Sequence, residues 1–279
     1  MFTMDIVADV GTEMNPNGLG AYQFDLVYDL NYLEVISVSD AEELGKTGRT
    51  VKELGPTDVT AGQTVFAVYS YPPEGVSELA GPKNTVVLAT ATLKAKQAGV
   101  TTLNLENALL TDTKANVWPG AGRDLTTEDG TITILTNLAL GRPATQSSTY
   151  DSGVASRAVD GNTYGAWGNN SVTHTDYNAQ AWWQVELGAV QDISGIAVWN
   201  RTDCCGGRLS GFYVLVSDVA FTSTDLTATL GQGGVSSYYT AGQAGSPTTI
   251  AVNRTGRYVR VQLTGSNWLS LAEVEVWGR

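Results

Sequence analysis

Hydrophobic alternation with a period of two constrains this chain more than any other feature. In Ala21-Tyr-Gln-Phe-Asp-Leu-Val-Tyr-Asp29, Tyr22, Phe24, Leu26 and Tyr28 share one face, while Gln23 and Asp25 fall on the other. That pattern is a half-buried strand with one wet face. Further strands are expected at 33–38, 65–70, 85–93, 101–105 and 131–135, and later at 182–187, 194–200, 211–217, 258–263 and 271–277. Turn formers punctuate them at Asn15-Pro-Asn-Gly18, Tyr71-Pro-Pro-Glu-Gly75 and Gly81-Pro82. Helical turns are expected only at 40–45 and 156–160. The fold class is therefore all-β, built as two β-sandwich domains.

Charge separates the two. Residues 138–279 hold ten acids against eight Arg, a net of −2, whereas 1–137 carry −10 of the total −12, and every Lys lies there. So sharp a change in usage divides the chain into 1–136 and 137–279, with a short crossover near Leu135-Thr-Asn-Leu-Ala139. The acidic balance argues against nucleic acid, which needs a basic footprint, and against anionic membrane surfaces. No apolar run reaches the roughly 18 residues of a membrane helix, so no direct membrane insertion is expected. No signal peptide is visible after Met1, and the chain is expected to be a segment of a longer secreted, extracellular or cell-surface protein.

Catalysis finds little support. His174 is the only histidine, no G-x-S-x-G elbow exists, and His174 with two adjacent cysteines makes a poor zinc geometry. What stands out is a polar cluster, His174 and then Arg201-Thr-Asp-Cys-Cys-Gly-Gly-Arg208, following a well-formed strand and so expected at one end of a sandwich. Two guanidiniums offer forked donors, Asp203 can hold one of them, and the imidazole adds a donor or acceptor. That set suits a small polyhydroxylated ligand. Adjacent Cα atoms lie about 3.8 Å apart, below the usual disulfide range of roughly 4.4–6.8 Å. A bond between Cys204 and Cys205 would stiffen the loop and present two sulfurs as an apolar plate for a sugar's C–H face. The alternative is a pair of buried reduced thiols in an ordinary turn.

His174, Arg201-x-Asp203 and Arg208 at this spacing resemble the motif of the F-type lectins, the fucose-binding family typified by eel agglutinin. The resemblance runs from Asn137 to Arg279. It includes Ala144-Thr-Gln-Ser147, Ala158-Val-Asp-Gly-Asn162, Trp182-Trp-Gln-Val-Glu-Leu187, Gly256-Arg-Tyr-Val-Arg-Val261 and Glu273-Val-Glu-Val-Trp277, the last two also similar to the broader discoidin-like jelly rolls. It implies that His174, Arg201 and Arg208 bind the 4-hydroxyl, 3-hydroxyl and ring oxygen of α-L-fucose. Asp203 would orient an arginine, and a Cys204–Cys205 disulfide would pack on the ring. Tyr150 and Trp167 are the candidates for the wall of the methyl pocket, buried core aromatics being the commoner case.

The resemblance also implies a structural Ca²⁺ site. Its ligands would be Asp160, Asn162, Ser171 and Glu273, with the backbone carbonyls of Arg157 and Ala272; six loop oxygens suit that ion. The alternative for Asp160-Gly-Asn162 is a plain turn. Two departures stand out. The eel-type extra disulfide is replaced by Val172 and Ala272, which suggests an apolar contact, and a second methyl-pocket aromatic is replaced by Gly168.

The first half, from Gly18-Leu-Gly-Ala-Tyr22 through Val38 and again over 86–94 and 101–110, resembles cohesin domains. Their opening strand would lie within 1–10. This resemblance implies a dockerin module as partner; an immunoglobulin-like spacer is the alternative. Together the halves read as a non-catalytic protein recognising terminal α-L-fucose on fucosylated glycans. The rival readings are an ancillary carbohydrate-binding region of a larger secreted glycoside hydrolase and a discoidin-like adhesion module. One small-sugar site binds on the order of micromolar to millimolar, so useful avidity needs several copies.

Overall fold

The computed structural model describes residues 1–10, 17–118 and 127–279, with the side chains of 59 and 60 left aside. The first two residues of the turn expected at Asn15–Gly18 lie outside the described residues. Two compact units result, Met1–Ile134 and Leu135–Arg279, both antiparallel β-sandwiches.

The first unit contains β1 (Phe2–Asp9), β2 (Leu19–Tyr28), β3 (Leu33–Asp40), β4 (Thr50–Thr60), β5 (Gln63–Tyr71), β6 (Thr85–Ala95), β7 (Gly99–Asp112), β8 (Val117–Trp118) and β9 (Gly130–Ile134). One sheet runs β1-β6-β3. The other runs β4-β5-β2-β7-β8, with β9 also paired to β7. Alternation sets the core, since Tyr22, Phe24 and Leu26 of β2 face inward opposite Val68, Phe66 and Thr64 of β5. The helical turn is the short 3₁₀ segment Glu43–Gly45, whose Leu44 plugs the core.

Asp25 departs from expectation. Although it alternates toward solvent, it is only 5% exposed. A register shift between Gln23 and Asp25 lets β7 bulge. There Asn107, with φ 49°, donates its amide to Asp25 at 2.7 Å, and Gln63 donates from the other side at 2.8 Å. A bulge of this kind re-aims a side chain that plain alternation would leave elsewhere.

The second unit contains β10 (Thr136–Asn137), β11 (Ala144–Gln146), β12 (Asn178–Ala179), β13 (Trp182–Asn200), β14 (Ser210–Ser217), α1 (Leu226–Leu230), β15 (Val235–Gln243), β16 (Thr248–Leu263), β17 (Ser266–Asn267) and β18 (Leu271–Gly278). The main sheet runs β10-β18-β13-β16-β14-β15, with β11 on β13; β12 and β17 form a separate ladder. The strands expected at 182–187 and 194–200 are one strand, β13. It bends at register shifts within 186–195, pairing with β11 and β16 before them and with β18 and β16 after. Bulges increase local twist, so one strand can serve both layers of a jelly roll.

The uncharged stretch 226–253 carries no clean alternation, yet it forms α1, β15 and the start of β16. Asp225 caps α1 by accepting from the Ala228 amide at 2.8 Å. Arg260 helps to dock this region. Its guanidinium donates to Gln184 and the Ser223 carbonyl and lies over the Trp182 and Phe221 rings. The short 3₁₀ segment Ala155–Val159 packs on the core, where Trp183 donates its indole N–H to the Ala155 carbonyl.

Candidate functional site

The cluster is built at the junction of loops. Strand β13 ends at Asn200, and the turn that follows is fastened from two directions. The Asn200 amide donates to the carbonyls of Gly206 and Ala244. The Thr202 backbone N–H donates to the Gly165 carbonyl at 2.8 Å. Gly165 has φ 73°, and a Cβ there would stand 3.0 Å from the Asn200 carbonyl oxygen and 2.8 Å from the Thr202 hydroxyl, so the close approach of the two loops needs glycine.

Within this turn, Cys204 and Cys205 form a vicinal disulfide, which decides between the two readings of the cysteine pair. Both are exposed, so the sulfurs form part of the surface. Asp203 accepts from Arg201 Nε at 2.6 Å and Nη2 at 3.1 Å, a two-pronged ion pair, and also from the Cys204 and Trp167 backbone amides. The bond from Arg201 holds the Asp203 carboxyl below the usual range against the opposing effect of burial. Asp203 therefore orients Arg201 and partly neutralises it.

His174 comes from the opposite loop and is 5% exposed. Its backbone N–H donates to the Gly153 carbonyl at 2.9 Å, and a Cβ on Gly153 would lie 2.7 Å from His174 Cβ. Gly153 is thus what lets the two backbones close. His174 Nδ1 lies 2.7 Å from the Thr175 carbonyl, which can only accept, so Nδ1 carries the proton. Nε2 then presents its lone pair and accepts from Arg208 Nη1 at 3.1 Å. Burial lowers the His174 pKa, and the positive charges of Arg208 and Arg201 add to that effect, outweighing the pull of the Thr175 carbonyl. The imidazole is held neutral as a hydrogen-bond acceptor beside guanidinium donors.

Aromatic rings enclose this group. The Tyr150 ring lies 5.0 Å from the His174 ring, and Trp167 lies 5.5 Å from it, nearly perpendicular. Both Arg157 and Arg201 lie over the Trp167 ring, at 5.4 and 5.5 Å from its centroid, a contact that favours the cation. Tyr150 is 52% exposed and so is no core aromatic. A Cβ added at Gly168 would meet open space. The eight residues expected around a sugar therefore lie on three adjoining loops.

Sequence reasoning missed Trp268 and Tyr177. The Arg208 guanidinium lies 4.5 Å over the Trp268 ring, and Tyr177 stands against Trp268 at 4.8 Å. Their signal was faint: Tyr177 is three positions past His174, yet neither it nor Trp268 matches a residue of the motif. Arg157 was considered for its carbonyl alone, yet its side chain also reaches Asn170 and the Val172 carbonyl.

The six residues considered for a cation lie near the packing of the 155–159 turn against β18. Glu273 is 0% exposed; its Oε1 accepts from the Gly161 N–H at 3.0 Å, while Oε2 is buried with no hydrogen-bond partner. Burial pushes this carboxyl up to about 7, and the neighbouring Asp160 charge adds to the rise. Ser171 donates its hydroxyl to the Ala166 carbonyl and keeps its oxygen lone pairs. Asp160 accepts from the Asn162 amide. Val172 and Ala272 are both fully buried. Among the described residues, no three His, Cys, Asp or Glu side chains gather into a metal group, so any cation here would depend on neutral oxygens as well.

Comparison with known proteins gives two family matches, a Cohesin domain at residues 6–134 and a NedA-like, galactose-binding domain at 157–261. Fucolectin-5 of Anguilla japonica is 33% identical over 147 residues, covering 50% of this chain and 75% of that one. The lectin domain of lectinolysin, solved with Lewis B antigen, is 36% identical over 52% of this chain and 97% of that chain, with a TM-score of 0.45. A Streptococcus pneumoniae fucose binding module is 34% identical over 52% of this chain and 96% of its own, also at 0.45. Through its second unit, the chain belongs to the fucolectin family, the F-type lectins, and its first unit is similar to Cohesin domains over residues 6–134.

Proposed function

We propose that the second unit is a non-catalytic lectin site for terminal α-L-fucose. The observation that carries this reading is the pairing of neutral His174 with Arg208 beside the Asp203-oriented Arg201 and the disulfide plate. A sugar hydroxyl is donor and acceptor at once. It can give its proton to the His174 lone pair while accepting from a guanidinium, so vicinal hydroxyls satisfy the whole group. Hydrogen bonds to charged donors contribute roughly 1.5–3 kcal/mol each. The Cys204 and Cys205 sulfurs would pack on the ring, and Tyr150 and Trp167 would wall the methyl group.

A structural Ca²⁺ would sit at Asp160, Asn162, Ser171 and Glu273, with the Arg157 and Ala272 carbonyls. The unpartnered, buried Glu273 oxygen supports this, because a cation would supply the charge that burial denies it. Its effect would be to tie the loop carrying Trp167 to β18.

The cohesin domain would join the lectin to a dockerin-bearing partner outside the cell, which would supply avidity. Exposed Leu54, Tyr71 and Leu109 on the β4-β5-β2-β7 sheet support an apolar docking face. Among the described residues no helix is long and apolar enough to cross a membrane.

A glycan array probed with the whole chain tests the lectin reading. Fucosylated glycans should be retained, free L-fucose should compete, and Arg208→Ala should abolish retention. An array on which fucosylated and non-fucosylated glycans are captured alike, or neither is captured, overturns it.

A further inference from the structure

The aromatic rings around His174 account for one side of the site, and the other side carries a second pair that the fucose contacts do not use. Arg208 links the two. One bond takes it to His174 Nε2, and its guanidinium lies 4.5 Å over Trp268. Beyond Trp268 stands Tyr177, its ring centroid 4.8 Å away and its plane turned by 71°. Tyr177 is 58% exposed, so the contacts lead outward from the pocket to an open aromatic face.

This pair is firmly mounted. Asn178 pairs with Asn267 and Ala179 with Ser266. In that antiparallel register Tyr177 and Trp268 fall opposite each other. On the far side, the Thr175 N–H donates to the Leu269 carbonyl and the Leu269 N–H to the Thr175 hydroxyl. The backbone is therefore fixed before and after both rings, and Tyr177 gives up little freedom when a ligand covers it.

We propose that Tyr177, buttressed by Trp268, is a subsite for the pyranose to which the terminal fucose is attached, stacking on that sugar's C–H face. The inference rests on the fucose reading of the His174 site. It assigns Tyr177 to linkage preference and Trp268 to positioning Arg208. A single exposed tyrosine is ordinary on a protein surface. Here the ring continues a contact path from the binding group, and its polar edge with apolar face matches a sugar.

The test compares methyl α-L-fucoside with fucosyl-α1,2-galactose, fucosyl-α1,3-N-acetylglucosamine and fucosyl-α1,4-N-acetylglucosamine, by calorimetry on the whole chain. At least one disaccharide should bind the unaltered protein more tightly than the monosaccharide. Tyr177→Ala should erase that advantage, about five- to tenfold, roughly 1–1.4 kcal/mol. It should leave methyl fucoside affinity unchanged, and Tyr177→Phe should keep the advantage. If no disaccharide exceeds the fucoside, or Tyr177→Ala weakens all four ligands equally or none, the subsite is refuted while the fucose site stands. If the unaltered protein binds none of the four, the underlying fucose reading fails as well.

Discussion

Replacing Glu273 by Gln separates the charge of this buried group from its shape. The unaltered carboxyl is fully buried, with one oxygen on the Gly161 amide and the other unpartnered. Its pKa in the metal-free fold rises from the ordinary 4.5 to about 7. A raised pKa means that the folded state holds the proton more tightly than the unfolded one. The stabilising contribution is therefore complete below pH 4.5 and is lost as pH rises through 7. At about 1.4 kcal/mol per pH unit, that loss comes to about 3 kcal/mol.

Urea unfolding followed by tryptophan fluorescence reads it, because six of the seven Trp lie in the second unit. With EDTA present, the unaltered chain should lose about 3 kcal/mol between about pH 4 and about pH 8.5 relative to Glu273→Gln. In a unit of this size that corresponds to roughly 6–12 °C in Tm. Added calcium should restore the unaltered chain at the higher pH and stabilise the variant less, since Glu273→Gln removes one of the two carboxylates that would face the cation. Parallel pH profiles, or equal stabilisation of both proteins by calcium, would refute the reasoning.

Arg201→Lys should weaken fucose binding about tenfold or more, because one ammonium cannot keep both bonds to Asp203 and still present a fork; calorimetry at near-normal affinity would count against the geometry. His174 should titrate below its ordinary 6.5, since burial and the flanking arginines oppose its protonation, and its single imidazole resonance reads this directly. Fucose affinity should hold above that midpoint and fall as pH drops through it, because a protonated Nε2 can no longer accept; an affinity that rises on acidification contradicts the assigned tautomer. Gly153→Ala should cost roughly 1–3 kcal/mol and displace His174, since the new Cβ overlaps it at 2.7 Å, and an unchanged fucose titration would sink that packing argument. Reduction of Cys204–Cys205, verified by mass, should weaken binding with the far-UV circular dichroism unchanged; full affinity after reduction would remove the sulfur plate from the site.

Much of the architecture was legible because strand alternation is local. The inward faces of β2 and β5 follow from a two-residue period, and so does most of the first core. The stretch 226–253 was not legible, since Ser, Thr, Gly and Gln do not announce an inward face; α1 and β15 form there because the sheet beside them offers partners. Asp25 was misread for a related reason. Its burial is made by Asn107, 82 positions away, turned over it by a bulge.

The site divides in the same way. Arg201, Asp203, the cysteine pair and Arg208 fall within eight residues, so the covalent chain alone brings them near one another, and their joint chemistry was readable from residue types. What no spacing determines is that His174 meets Arg208 through a lone pair. Nor does it say that Glu273 keeps an oxygen without a partner, or that Tyr177 faces Trp268 across 91 residues. Those depend on register: in a ladder as short as β12–β17, a slip of one residue would leave the two rings on opposite faces. Amino-acid order settled which groups this loop offers, and only the folded sheets decided which of them touch.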